Sequence, residues 1–338
     1  MKAVVVHSAG DLRLEDRQDP ACPAGSVIVD VEYGGICGSD LHYVSHGASG
    51  LSILADPIIL GHEVAGRISM LGKGVKGFGV GDAVTVHPAV YCRECTDCLA
   101  GRTNLCPQVT YFGSAAHWPH TDGAFVSRKA VPAGQLLRLP AGVSTRQAAV
   151  AEPLAVAIHA VKRAGSLDGR DVLVNGAGPI GALVVAAARR AGAATIVASD
   201  LSETSLAIAK RMGADDVVLV GSGAVLPEVD VAFEASGAAR AIGGVLAAVR
   251  RGGTVVQVGN LPAGPVTAEL AALVFREIDY RGTFRFADEM DDALAYLADG
   301  LDVEPLLTHT FDAGDVMEAF AVAADRGTGS SKVLLSFI

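Results

Sequence analysis

The chain has 338 residues, with 27 Lys and Arg against 37 Asp and Glu, for a formal net charge of −10. Half of it is apolar and 40 residues are glycine. So apolar a chain offsets the entropy of folding, which excludes a disordered protein, and its length suits about two domains. The acidic balance, with no basic tract, excludes nucleic acid as the main partner. No run approaches the about 20 apolar residues of a spanning helix. The start, MKAVVVHSAGDLRLED, has neither a signal-peptide core nor a cleavage site. A cytoplasmic protein with no membrane association is expected.

The N-terminal segment alternates like a first β-strand. Short β-type runs separated by glycine turns follow at Val27–Tyr33, Glu63–Leu71 and Ala83–His87, which predicts a small, antiparallel, partly barrelled domain. Near residue 145 the pattern changes. Strands are predicted at Asp171–Asn175, Thr195–Ser199, Asp216–Val220, Val229–Glu234, Thr254–Val258 and Tyr280–Arg285. Helices are predicted at Ile180–Ala191, Glu203–Met212, Ala238–Arg250 and Ala268–Glu277. Six strands with intervening helices specify a doubly wound parallel sheet, so the fold class is α/β. A helix over Glu289–Ala298 and a final strand, Lys332–Phe337, are expected to return to the first domain. The expected division is 1–145 plus 287–338 for the β-rich domain and 146–286 for the parallel-sheet domain.

The strand Val172-Leu173-Val174-Asn175 runs directly into Gly176-Ala177-Gly178-Pro179-Ile180-Gly181, a G-x-G-x-x-G turn opening a helix. The first glycine permits the tight turn, the second lets backbone approach a pyrophosphate, and the third lets helix pack on strand. Asp200 ends the next strand, where a carboxylate bonds both ribose hydroxyls of NAD and repels a 2′-phosphate. No Arg or Lys follows before Lys210, so NAD is favoured over NADP.

Of six cysteines, Cys92, Cys95, Cys98 and Cys106 crowd into one loop. Clustered thiolates in a reducing compartment point to metal rather than disulfides. Four sulfurs make a closed, structural zinc site, with an iron–sulfur cluster or free thiols as the alternatives. Cys22, beside two prolines, reads as a spare thiol. A second constellation is dispersed: Cys37 in GICGSDLH, His62-Glu63 at the head of a strand, and Glu152 in AEPL. Together they offer the Cys, His and Glu of a catalytic zinc site with one position open.

These motifs, in this order and spacing over essentially the whole chain, resemble the zinc-containing medium-chain alcohol and polyol dehydrogenases, in their sorbitol dehydrogenase-like branch. The resemblance implies a GroES-like β-rich catalytic domain beside a Rossmann NAD-binding domain, with one catalytic and one structural zinc. It implies Cys37 and His62 as direct ligands of the catalytic zinc, with Glu63 completing the set and Glu152 binding indirectly or exchanging with it. The sequence leaves the order of the two acids open. Asp40 matches the acid that orients the zinc-binding histidine. Ser39 and His42 match a proton relay from substrate oxygen through the nicotinamide ribose to solvent.

The segment Tyr111–Gly123, with AEPLAVAIHA and Gly282–Phe286, is similar to members of this branch that oxidise the sugar acid L-idonate at C5 to the 5-keto acid. The alternative substrate is a neutral polyol such as sorbitol, L-iditol or xylitol. Arg285 is expected to clamp the substrate carboxylate through its planar fork, with His117 and His120 as further substrate contacts. Phe286 stands where polyol enzymes often carry tyrosine. A zinc-free quinone reductase relative would lack Cys37, His62 and Glu152, and a non-catalytic NAD-binding protein would lack the Ser39–His42 relay. The partners expected are a small sugar acid or polyol and further copies of the chain, as dimer or tetramer. Strand Thr254–Val258 and segment Pro262–Val274 are the candidate contact surfaces.

Overall fold

A computed structural model describes residues 1–338. The chain divides into two compact units. One comprises Met1–Glu152, Ala293–Gly300 and Leu307–Ile338; the other comprises Pro153–Asp292 and Leu301–Leu306. The outgoing crossing therefore lies after the second residue of the helix Ala151–Ala164, and the return lies inside the helix Met290–Ala298. Both differ from the expected positions, because a helical pattern continues unbroken across a boundary that only tertiary packing defines. No helix is long and apolar enough to cross a membrane.

The first unit is built on a mixed seven-stranded sheet. Its strands run in the order Leu136–Arg138, Ala83–Val86, Glu63–Leu71, Ser26–Gly35, Lys332–Ser336 and Leu307–Asp312, with Arg128–Pro132 also paired to Ser26–Gly35. The final strand runs antiparallel to Ser26–Gly35, with Leu334 opposite Gly35. Residues almost 300 positions apart thus meet in one sheet. A second sheet joins Asp11–Asp16, Lys2–Ser8 and Ile58–Ile59. Val4, Val27, Ile58, Leu60, Ile68, Phe125 and Leu335 form the core. Apolar residues at alternate strand positions turn to that side, as a half-buried sheet requires.

The second unit is an all-parallel six-stranded sheet. Its order is Asp216–Leu219, Thr195–Asp200, Asp171–Asn175, Val229–Glu234, Val249–Gln257 and Asp279–Gly282. Strand Asp171–Asn175 is central, and the order reverses between it and Val229–Glu234. That reversal is the switch point at which such sheets bind ligands. Helices Pro179–Arg190, Glu203–Arg211, Ile242–Ala248 and Ala271–Phe275 lie in the crossovers.

Two expectations for this unit are corrected. The last strand ends at Gly282, and Arg285 adopts φ +52°. A left-handed residue cannot continue a ladder, so Arg285 belongs to the following loop. Strand Thr254–Val258 is no exposed contact surface, because it has a neighbour on each side and Val255 and Val256 are fully buried. The edge strands are Asp216–Leu219 and Asp279–Gly282, and exposed apolar residues near the second in sequence include Val266, Leu270, Val274 and Phe275.

Candidate active site

Strand Ser26–Gly35 ends two residues before Cys37, which caps the short helix Gly38–His46. Strand Glu63–Leu71 pairs with it, placing Glu63 opposite Gly35. This register carries His62 and Glu63 to Cys37. Ligand atoms of Cys37, His62 and Glu63 lie within 4.8 Å of one another.

Asp40 ties the two segments together. Its Oδ2 accepts the N–H of Cys37 at 3.0 Å and its Oδ1 the N–H of Gly61 at 3.3 Å. Its Oδ1 is 3.9 Å from His62 Nδ1, too far for a hydrogen bond. Asp40 therefore orients the histidine through the backbone before it. Gly35 and Gly61 leave the necessary room. A Cβ on Gly35 would overlap Glu63 Oε2, and one on Gly61, at φ +93°, would overlap the Phe125 ring.

Glu152 stands beside this group. Its Oε1 accepts the Tyr111 hydroxyl proton, and both residues are buried. The Tyr111 ring meets His62 edge-on, with centroids 5.7 Å apart. Lys332, from the C-terminal strand, donates to both Glu63 oxygens at 2.9 and 2.7 Å and to the Ile36 carbonyl at 3.1 Å. Burial disfavours the Lys332 ammonium, but Glu63 overrides that and holds its pKa above the usual value. Burial and the neighbouring Glu63 push the Glu152 carboxyl up against the opposing pull of His62 and Tyr111. Burial alone would lower His62, yet Asp40, Cys37 and Glu152 hold it well above its usual value.

A divalent metal fits this donor set. Three buried carboxylates, Asp40, Glu63 and Glu152, surround a cysteine and a histidine with Lys332 as the one lysine among them, and His62 Nδ1 has no hydrogen-bond partner. Buried charge of one sign is costly unless it is paired or bound to metal. Cys, His and Glu donors together suit zinc.

The four-cysteine lobe is equally specific. Cys106 Sγ lies 3.5 Å and Cys98 Sγ 3.9 Å from Cys92 Sγ, and all four sulfurs fall within 4.8 Å. Tetrahedral zinc with Zn–S of about 2.3 Å separates its sulfurs by about 3.8 Å. The N–H groups of Cys95 and Cys98 point at the sulfurs of Cys92 and Cys95, and Arg93 takes φ +63° to turn this knuckle. Backbone N–H groups of Glu94 and Cys95 draw the Cys92 thiol down to about 7. Cys22 stands apart and donates weakly to the Ser26 carbonyl.

In the second unit Gly176, at φ +91°, presses against Ser236, and Gly181 presses against the Gly176 carbonyl. Gly178 differs: it caps helix Pro179–Arg190, and a Cβ there would meet nothing within 4 Å. Open space at a helix N-terminus suits a pyrophosphate. Asp200 holds this turn, accepting the N–H of Ala177 at 2.6 Å and that of Ser202 at 2.9 Å.

Among the remaining expected residues, Ser39 is half-buried and His42 exposed, three residues apart on one helix. The Arg285 guanidinium lies over the Phe284 ring at 4.9 Å, and Phe286 is core. His117 and His120 make hydrogen bonds within and beside their loop. His117 Nε2 donates to the Val109 carbonyl at 2.9 Å. His120 Nδ1 donates to the His117 carbonyl, while its Nε2 accepts the N–H groups of Ala55 and Asp56. Sequence reasoning missed Lys332 and the hydroxyl of Tyr111. A lysine heading an otherwise apolar strand was the available signal for the first.

Fold and site together define a zinc-binding dehydrogenase. The family model for the alcohol dehydrogenase GroES-like domain matches residues 23–141, and that for the zinc-binding dehydrogenase matches residues 179–299. L-idonate 5-dehydrogenase (NAD(P)(+)) of Escherichia coli strain K12 is 39% identical over 319 residues, covering 92% of this chain and 91% of its own. Sorbitol dehydrogenase of Bacillus subtilis is 35% identical over 345 residues, covering 99% and 97%. The crystal structure of the Escherichia coli L-idonate 5-dehydrogenase superposes with a TM-score of 0.93 at 36% identity, over 99% of this chain and 98% of that one. The chain belongs to the zinc-containing polyol dehydrogenase branch of the medium-chain dehydrogenases.

Proposed function

We propose that this enzyme oxidises a secondary alcohol of a sugar acid with NAD, as an L-idonate 5-dehydrogenase forming 5-keto-D-gluconate. The observation that carries the substrate reading is Arg285. It is held off the strand in a left-handed loop with its guanidinium face laid on Phe284, a presentation that suits a carboxylate fork. The resemblance of Tyr111–Gly123 and of the Arg285 segment to the sugar-acid enzymes supports the same reading. Oxidation of a neutral polyol is the second reading, favoured by the near-equal identity of sorbitol dehydrogenases.

Cys37, His62 and Glu63 would hold the catalytic zinc, with Glu152 beside them, and Cys92, Cys95, Cys98 and Cys106 a structural one. The catalytic metal, when bound, supplies Lewis acidity that makes the substrate hydroxyl more acidic. Ser39, half-buried, would take the hydroxyl proton, and His42, exposed three residues further along the same helix, would hand it to solvent. NAD, when bound, would supply the hydride acceptor, so that alcohol and NAD become ketone, NADH and one proton. Gly176, Gly178, Pro179, Ile180 and Gly181 would cradle the pyrophosphate. Asp200 would bind the ribose hydroxyls and favour NAD over NADP. The exposed apolar run at Val266, Leu270, Val274 and Phe275, beside the edge strand Asp279–Gly282, supports a homo-oligomer.

Steady-state NAD reduction by the zinc-replete enzyme, with L-idonate and sorbitol side by side, tests the substrate. A kcat/KM favouring L-idonate by about tenfold, or 1.4 kcal/mol, that is erased in Arg285→Ala supports the sugar-acid reading. Equal or greater activity on sorbitol replaces it with polyol oxidation.

A further inference from the structure

Each acid at the metal centre has its own partner, and the partners differ in kind. Glu63 faces the Lys332 ammonium with both oxygens. Glu152 accepts a neutral hydroxyl, that of Tyr111, on Oε1. Tyr111 sits on a short strand paired with Ala89–Val90, its side chain buried and its ring edge-on to His62. One aromatic side chain therefore packs against one metal-binding residue while its hydroxyl tethers an acid. The donor atoms reflect this: Cys37, His62 and Glu63 gather within 4.8 Å, and Glu152 stands outside that set.

We infer that Tyr111 is a positioning residue that keeps Glu152 beside the metal centre but out of its ligand set, reserving one open position for the substrate oxygen. The inference rests on the zinc reading above. For Glu152 to ligate through its bonded oxygen, the Tyr111 hydroxyl must lose its acceptor in a dry site, which costs the desolvation of that group. The Lys332 ammonium acts on Glu63 in another way, compensating its charge where it stands. Removing the Tyr111 oxygen alone leaves ring packing intact and cuts the tether. A buried carboxylate without that donor then gains by moving onto the metal, and four chain ligands make a closed site of the structural type.

The test uses the full-length protein with cobalt in place of zinc, the Cys37→Ala variant serving as the blank that removes the four-cysteine lobe from the spectrum. Imidazole, added as an external ligand, shifts the cobalt absorption of the wild-type centre by entering its open position. Tyr111→Phe is expected to need about tenfold more imidazole, the scale on which residues contacting metal ligands alter affinity. It is also expected to release zinc to a chelator correspondingly more slowly. Tyr111→Phe combined with Glu152→Gln is expected to return both to wild-type values. An unchanged imidazole titration and release rate in Tyr111→Phe overturns the inference. Absence of any Cys37-dependent cobalt band in the wild type overturns the metal reading instead.

Discussion

Lys332 and Glu63, 269 residues apart, form a bidentate ion pair in which the lysine side chain is 3% exposed and the glutamate 0%. The C-terminal strand thus contributes directly to a metal centre whose other residues lie in the first half of the chain. Breaking a buried pair from one side leaves an uncompensated charge, at a cost of about 3–5 kcal/mol. Lys332→Met is expected to lower the thermal unfolding midpoint strongly. Lys332→Met with Glu63→Gln is expected to recover most of that loss, since both charges are then gone. A double variant no more stable than the single one would count against the pair as the cause.

Gly61 is held at φ +93° under the Phe125 ring, immediately before His62. Gly61→Ala adds both backbone strain and a steric overlap with a fully buried aromatic, about 3 kcal/mol in all. Urea unfolding measures the loss. Because the substitution displaces His62 and leaves the four-cysteine lobe untouched, zinc analysis is expected to show the loss of metal from the Cys37 centre alone.

Glu289 supplies the pH dependence. Burial would raise its carboxyl, but the His159 ring at 3.0 Å, the N–H of Ala287 at 2.7 Å and the Lys162 ammonium hold it at about 2. A carboxyl lowered on folding stabilises fully above its ordinary value of 4.5, and that contribution fades as pH falls from there towards 2. Glu289→Gln is therefore expected to be less stable than wild type at pH 7, with the gap closing as the medium is acidified. Thermal melts of the two proteins between pH 7 and pH 3 check it.

Asp200 holds the glycine turn with one oxygen, on the N–H of Ala177, and the start of helix Glu203–Arg211 with the other, on the N–H of Ser202. Asp200→Ala removes these bonds along with the carboxylate proposed to bind the ribose. The KM for NAD is expected to rise about tenfold or more, as charged hydrogen bonds are worth about 1.5–3 kcal/mol. Activity with NADP is expected to fall less, narrowing the preference. Steady-state kinetics with both dinucleotides provide the comparison.

Cys106 is the one buried member of the four-cysteine lobe. Cys106→Ser is expected to lower zinc content by one equivalent per chain and to lower the melting temperature, because a structural site's binding energy is folding energy. Elemental analysis beside a melting curve tests both.

By itself the sequence determined the parallel-sheet unit and the identity of its glycine turn. Both are local: the strand Asp171–Asn175, the turn Gly176–Gly181 and the helix after it are consecutive, and Asp200 ends the next strand. The four cysteines were legible for the same reason, since a short loop can bring close spacings together. Cys37, His62 and Glu63 were readable as a set by donor chemistry and motif resemblance, but not as neighbours, because the register of two antiparallel strands, with Gly35 opposite Glu63, is what joins them. Tertiary structure alone decided the rest. It brought Lys332 to Glu63 across a sheet that no local pattern announces. It gave the Tyr111 hydroxyl to Glu152. It bound the rings of His117 and His120 to backbone, and it turned Arg285 out of its strand. Each of these depends on where a side chain's polar atom finds its partner, which hydrophobic periodicity does not encode.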